Sequence, residues 1–341
     1  MSIQALADSL GISISTVSRA LNGYSDVSAS TRQKVFDAAK AMNYSPHPVA
    51  HRLATGKTGA VAILNPARSG QAIDGSSAIL HTGVTQVMRE HKYFVLSLTL
   101  PTGEDEATEL ERLLAGRLVD GVVVTRTRTQ DSRVSLLQQR NIPFVTHGRT
   151  IENAPHAWVD VDHEGVVAQA TSALIERGHR RIAFINGMVH MSFAHLRDQG
   201  FRSAISQAGL ALEHCPIHYT ELTGQMGRHV AAQLLAGNAM QRPTAFVCAS
   251  DLMAIGVMSA IRDAGLQVGQ DVSVFGQGNT EAGLLSAPPL ASTEHDLLLH
   301  GQHIARLLLQ QIAGEDGSIM HWLESSRLLL RGSVASAPDT A

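Results

Sequence analysis

The apolar residues at the start of the chain recur at helical spacing. Ile3, Leu6, Ala7 and Leu10 share one face of a helix predicted over 3–10, and Ser2 stands where its N-cap belongs. Gly11 ends that helix, because glycine accepts the left-handed backbone of a tight turn. Ser13 caps a second helix, predicted over 14–21, which turns Val17, Ala20 and Leu21 inward and leaves Ser15, Ser18, Arg19 and Asn22 opposite. A small residue where helices touch (Ala7), a glycine in the turn and a branched residue on the second helix (Val17) follow the grammar of a helix-turn-helix. A third helix, capped by Ser28, is predicted over 29–42. Pro46 and Pro48 then break the chain, and about seven residues before Thr55-Gly56 remain for a helix too short to persist in water unless something packs on it.

From Gly59 the period changes. Short apolar runs at 60–64, 93–98, 119–124, 144–146, 158–161, 182–185, 245–248 and 272–275 read as buried strands. Helical stretches such as 104–115, 164–177, 197–208 and 252–264 lie between them. Strand and helix in alternation imply parallel sheets covered on both faces, here an α/β body of two doubly wound lobes. Such a body binds small molecules in the cleft facing the strand C-termini.

Composition narrows the setting. With 44% hydrophobic and 17% charged residues the chain can bury sizeable cores, and 341 residues suffice for two or three units at about 100 to 200 each. Cys215 and Cys248 are the only cysteines, which gives no disulfide framework and suits a reducing compartment. No basic run followed by an apolar stretch opens the chain, and no segment approaches the roughly 18 to 20 apolar residues that span a bilayer. A cytoplasmic protein without a membrane partner is expected. The net charge of −3 divides unevenly: residues 1–57 hold Arg19, Arg32, Lys34, Lys40, Arg52 and Lys57 against Asp8, Asp26 and Asp37, so that arm is +3 and the rest −6.

The run Ile12-Ser13-Ile14-Ser15-Thr16-Val17-Ser18-Arg19-Ala20-Leu21-Asn22-Gly23, followed by Val27-Ser28, Thr31-Arg32-Gln33-Lys34-Val35, Asn43-Tyr44-Ser45-Pro46, Val49-Ala50 and Leu53-Ala54-Thr55-Gly56, resembles the headpiece of the LacI/GalR family of bacterial transcription regulators. The body resembles that family's effector domain, itself similar to periplasmic sugar-binding proteins, through Ile182-Ala183-Phe184-Ile185, Arg197 with Gly200-Phe201, Ala249-Ser250-Asp251, Asp271-Val272-Ser273-Val274 and Pro288-Pro289-Leu290. The resemblance implies a headpiece over 1–44, a hinge over 45–58 and a bilobed body over 59–335, with lobe 1 about 59–157 and 290–320 and lobe 2 about 158–289 and 321–335. It also implies a repressor acting as a homodimer on a near-palindromic operator, controlled by a small-molecule effector, a sugar or sugar derivative. The α-glucoside repressors are the nearest subgroup expected. The tail over 331–341 carries no leucine heptad, so no coiled-coil tail is expected.

By position, Ile14, Ser15 and Arg19 are the expected base readers and Leu53 the wedge between base steps. Chemistry agrees: arginine forks onto guanine O6 and N7, serine pairs with several bases, isoleucine touches a thymine methyl, and an inserted leucine bends the duplex. Ser13, Thr16 and Asn22 suit phosphates, as do Arg52 and Lys57 beside the hinge. In the body, Arg197 is the leading effector contact, Ser250 follows, and Asp251 is expected to cap the next helix. One departure stands out: where the family places an effector-contacting acidic or amide residue, this chain has Gly278, so that contact is missing or replaced by Gln277 or Asn279. Arg126 and Arg128 after one strand, and His147-Gly148-Arg149 after another, add cleft candidates for a hydroxyl-rich or phosphorylated ligand.

Rival classes are weaker. Seventeen histidines invite a metal, but neither His295, His300 and His303 nor His214, Cys215 and His218 has a recognised ligand spacing, so no metal or cofactor is expected. No nucleophile, base and orienting acid assemble, and no dinucleotide fingerprint is present, so an enzyme is not expected. A periplasmic-type solute-binding protein without regulatory role is the alternative; it leaves the headpiece unexplained.

Overall fold

A computed structural model describes residues 2–44, 57–66, 75–100, 105–238 and 240–338. Three helices open the chain, α1 (Ile3–Leu10), α2 (Ile14–Leu21) and α3 (Ala29–Ala41). Each starts on a serine, Ser2, Ser13 or Ser28, whose hydroxyl accepts the backbone N–H three residues on. Gly11 closes α1 at φ +62, its N–H returning to Ala7 and Asp8, and this left-handed turn sets α2 against α1. Leu6, Ala7, Val17, Ala20, Val27, Val35 and Ala39 are buried together as a core of their own.

The body follows as β1 (Ala60–Pro66), α4 (Gly75–Glu90), β2 (Phe94–Leu100), α5 (Asp105–Ala115), β3 (Gly121–Thr125), α6 (Ser132–Gln139), β4 (Phe144–His147) and β5 (Trp158–Val161). Next come α7 (His163–Glu176), β6 (Ile182–Asn186), α8 (Ser192–Gln207), β7 (Ile217–Tyr219), α9 (Gly224–Leu235), β8 (Ala245–Cys248), α10 (Asp251–Asp263) and β9 (Ser273–Phe275). The short α11 (Glu281–Leu284), β10 (Ser292–Glu294), α12 (Leu297–Ile312), β11 (His321–Glu324) and β12 (Arg327–Leu329) complete it. A six-stranded parallel sheet has the order β11-β5-β4-β3-β1-β2, and a four-stranded parallel sheet the order β7-β6-β8-β9. β10 and β12 pair antiparallel.

Alternation along each strand explains the layers. Val61 and Ile63 of β1 face Leu80, Val84 and Met88 of α4 and Ile304 and Leu308 of α12, while Ala62 and Leu64 face Leu110 of α5 and Val134 and Leu137 of α6. The second sheet repeats the plan, with Ala183, Ile185, Phe246 and Cys248 toward α9 and α10, and Ile182, Phe184 and Val247 toward α7 and α8. Helix α4 meets α12 at Gly83 and Gly301, where an added Cβ at either would strike the other helix's backbone.

The lobe boundary differs from the expected one. β5 and β11 pair with each other inside the first sheet, whereas 158–161 and 321–324 were expected in the second lobe. Both are crossing strands of four residues, and nothing in so short an apolar run says which sheet it joins. The chain passes between lobes after β5, after β9 and after β11, so three segments form the joint among the described residues. The C-terminal ends of β3 and β6 also meet: Ser192 N–H donates to Thr127 O at 3.0 Å and Thr129 N–H to His190 O at 3.2 Å. No helix among the described residues is long and apolar enough to cross a membrane.

Candidate functional site

Helix α2 offers a reading face. Val17 and Ala20 are buried, while Ser13, Ile14, Ser15 and Arg19 are exposed and Thr16 and Asn22 half-buried. At eight residues the helix is about 12 Å long, which a major groove accommodates. Ser13 Oγ lies 2.9 Å from Ser15 Oγ and 2.8 Å from Thr16 Oγ1, so the hydroxyls at the helix start form one cluster. The Arg19 guanidinium is forked onto Asp26, with Nε to Oδ1 at 3.1 Å and Nη2 to Oδ2 at 2.5 Å, and lies 5.0 Å from the Tyr24 ring centroid. That pair is about half exposed on both sides and so worth ~1 kcal/mol or less. It aims Arg19 without committing it. Lys57 is exposed; Arg52 and Leu53 lie outside the described residues.

The second candidate is the cleft where the lobes meet. His147 ends β4, Asp160 lies one residue before the end of β5, His163 starts α7, Arg197 lies on α8, and His295, His300 and Glu324 come from the later crossings. Arg149 approaches Asp160 at 3.4 Å and stacks over Trp158, and His163 Nε2 meets the other Asp160 oxygen at 3.3 Å. Burial would raise the Asp160 carboxyl, but His163 and Arg149 hold it below its ordinary value. The histidines go the other way. Burial, reinforced by His300, lowers His147 to about 3; burial lowers His295 to about 3 and His300 to about 4; burial also lowers His163. All four are neutral at neutral pH. Arg197, lowered to about 10 by burial, stays charged, donates Nη1–H to Ala249 O at 3.1 Å and lies 4.9 Å from the Phe193 ring centroid.

Five buried side-chain atoms here have no hydrogen-bond partner: Arg149 Nε, which reaches Asp160 only at ion-pair distance, Arg197 Nε, Gln277 Nε2, His163 Nδ1 and His295 Nδ1. Leaving a buried polar group unpaired costs about 1 to 3 kcal/mol, so a molecule that pairs with these atoms gains by doing so.

The expected effector residues fare differently. Arg197, His147, Arg149 and Gln277 are brought to the joint. Ser250, not Asp251, caps α10 by accepting Met253 N–H, because its position precedes the first helical turn; Asp251 instead accepts Thr280 N–H and Ser292 Oγ–H, both at 2.6 Å. Asn279 is committed elsewhere, donating to Glu294 and accepting from Arg331. Gly278 adopts φ +118, a backbone that side chains resist, which explains a glycine there. Arg126 is half-buried at φ +55. Arg128 is spent on buried Glu106 at 2.6 Å, within a network that also holds Arg133 and Asp131. Among the described residues no three His, Cys, Asp or Glu side chains converge as a metal set. His300, Glu324, Asp160 and His163 are cleft residues that sequence reasoning missed; the only sign was a polar His300 among the leucines of α12.

Comparison with known proteins bears on both regions. Residues 2–47 match the family described as bacterial regulatory proteins, lacI family, and residues 171–334 match a periplasmic binding protein-like domain. The chain is 35% identical over 344 residues to the HTH-type transcriptional regulator AglR of Rhizobium meliloti, covering 99% of this chain and 96% of that one. It is 31% identical over 339 residues to the HTH-type transcriptional regulator CelR of Thermobifida fusca, covering 97% of each. Among solved structures, a lac repressor dimer bound to operator and the anti-inducer ONPF superposes with a TM-score of 0.81 at 26% identity, covering 98% of this chain and 99% of that one. A CelR–cellobiose complex superposes with a TM-score of 0.74 at 29% identity over the same shares.

Proposed function

The chain belongs to the LacI family of bacterial regulatory proteins and is a DNA-binding transcription regulator; from that premise we propose that it is a repressor released or engaged by an uncharged sugar in the interlobe cleft. Residues 1–44 read DNA, 45–58 act as hinge, and the body from 59 binds effector and dimerises, with β5 and β11 assigned to the first lobe. Arg19, Ser15 and Ile14 contact base edges, and Ser13, Thr16, Asn22 and Lys57 contact phosphate. Arg52 and Leu53 are assigned to the same surface by their place in the hinge.

The single observation that carries the effector reading is the set of unpaired buried atoms, Arg197 Nε, Gln277 Nε2 and His163 Nδ1 of the second lobe and His295 Nδ1 of a crossing segment. Neutral histidines around them, the Asp160 carboxylate at the same joint, and the pairing of Arg149 and Arg128 with carboxylates favour hydroxyl groups over phosphate, with Arg197 a charged donor to one of those hydroxyls. A ligand bridging both lobes shifts the population of lobe arrangements and so the spacing of two headpieces. The dimer face we assign to edge strand β2 and its neighbour α4, where Phe94 is 76% exposed and Ile79 and Leu96 are exposed beside it; an open apolar edge of this kind is a pairing surface.

The test uses a duplex that the protein itself selects from a random pool. Fluorescence anisotropy of that duplex is followed as maltose or cellobiose is added. A change in apparent affinity with either sugar supports the reading; no change with either, alongside a response to sugar phosphates, replaces it with a charged effector.

A further inference from the structure

Two histidines in the cleft, one from each lobe, have one ring nitrogen set by a carboxylate, His163 directly and His147 through His300. His163, at the start of α7, points Nε2 at Asp160 Oδ1, 3.3 Å away. His147, at the end of β4, is reached through an intermediary: Glu324 Oε2 lies 2.6 Å from His300 Nε2, and His300 Nδ1 lies 3.1 Å from His147 Nε2. His300 is fully buried, and Glu324 is further held by Asp296 N–H at 3.1 and 3.2 Å, where α12 begins. The packing therefore leaves little choice of proton position.

A carboxylate oxygen accepts only, so neutral His300 must carry its proton on Nε2 and leave Nδ1 bare. Bare Nδ1 accepts, so His147 must carry its proton on Nε2 and leave its own Nδ1 bare as well. The same step applied once at Asp160 leaves His163 Nδ1 bare. His163 Nδ1 is buried without a partner, and His147 Nδ1 has no hydrogen bond among the described residues. Burial keeps all three rings neutral, which the chain of bonds requires.

We infer that His147 and His163 are a pair of locked acceptors, one per lobe, which admit a ligand presenting a hydroxyl donor to each and discriminate against one that offers acceptors there. Arg197 Nε–H and Gln277 Nε2–H supply the complementary donors. His300 and Glu324 are positioning residues: they act through His147 and need not touch ligand. This rests on the reading of the cleft as the effector site, but the tautomers do not depend on which sugar binds.

The experiment labels the full chain with 15N-histidine and reads ring tautomers by long-range proton–nitrogen correlation at neutral pH, with His147→Gln and His163→Gln spectra for assignment. The expected result is Nε2–H with bare Nδ1 at both rings, and a mixture of tautomers at His147 in Glu324→Leu while His163 is unchanged. Nδ1–H at either ring in the unsubstituted protein overturns the inference, as does a His147 indifferent to Glu324→Leu. Maltose and its per-O-methylated form are then titrated. Maltose shifting both bare Nδ1 resonances, with no response to the methylated sugar, supports the pair; equal binding of the two sugars overturns it. Correct tautomers with no maltose binding leave the locked pair standing and count instead against an α-glucoside as effector.

Discussion

The headpiece and the cleft recognise partners on opposite terms. The headpiece displays its proposed readers in water: Arg19 and its partner Asp26 are about half exposed, and every polar bond that shapes the face is made to a residue a few positions away. The cleft hides its readers, and one hydrogen bond there, His147 to His300, joins residues 153 positions apart. The difference follows from the partners. A polyanion repays exposed positive charge through released counterions, whereas a small neutral ligand must find donors and acceptors already dried and aimed. Formal charge accordingly locates the first site, +3 over residues 1–57 within a chain of −3, and says nothing of the second.

Substitutions should separate the two regimes, beginning with the buried charges beside the cleft. Arg133→Met leaves Asp131 buried without its main cation, while Glu106 keeps Arg128, and removing one partner of such a network costs about 3 to 5 kcal/mol. Urea unfolding should show this loss in the body, whereas cutting the exposed Arg19–Asp26 pair should leave stability nearly unchanged.

Acid should distinguish the regions next. His147, His295 and His300 have folded values of about 3, 3 and 4 against an ordinary 6.5, so the unfolded chain binds more protons between those limits. Stability of the body is then full above about pH 6.5 and falls as pH drops toward 3. From pH 7 to 5.5 each histidine contributes a loss of about 1 kcal/mol, visible as a falling Tm. The headpiece, with no histidine in residues 2–44, should not share that dependence.

Arg19→Ala should cost about 1 to 3 kcal/mol in operator binding and flatten sequence preference at one position, measured by anisotropy on selected and scrambled duplexes. The smallest effect belongs to Asp26→Ala. Freeing Arg19 and removing a negative charge near phosphate should tighten binding by no more than a few-fold, with a steeper salt dependence.

The same contrast decides what was legible in the sequence. The headpiece helices fall within a residue of their expected bounds, because caps, the Gly11 turn and the apolar period are all local signals. The α/β class and most strands were also legible, since buried parallel strands are continuous apolar runs. Position in the sequence brings Arg197 and His147 to the joint between the lobes, but it does not show their partners there. In the sequence His300 stands out only as a metal-ligand candidate beside His295 and His303; its ring is instead a link between Glu324 and His147, which no spacing rule reveals. The lobe boundary failed at β5 and β11 for a related reason: a crossing strand is assigned by pairing, and pairing is not written in a four-residue run.

The central claim is that two separate sites, one wet and basic and one dry and lined by neutral histidines, are coupled in one chain. The most direct measurement titrates the selected duplex with Arg19→Ala and Arg197→Ala proteins, each with and without maltose, while thermal shift follows sugar binding. The account predicts that Arg19→Ala loses the operator yet keeps its thermal response to sugar, and that Arg197→Ala holds the operator yet ignores sugar. An Arg197→Ala protein that still answers to maltose, or an Arg19→Ala protein that still selects its operator, would contradict it.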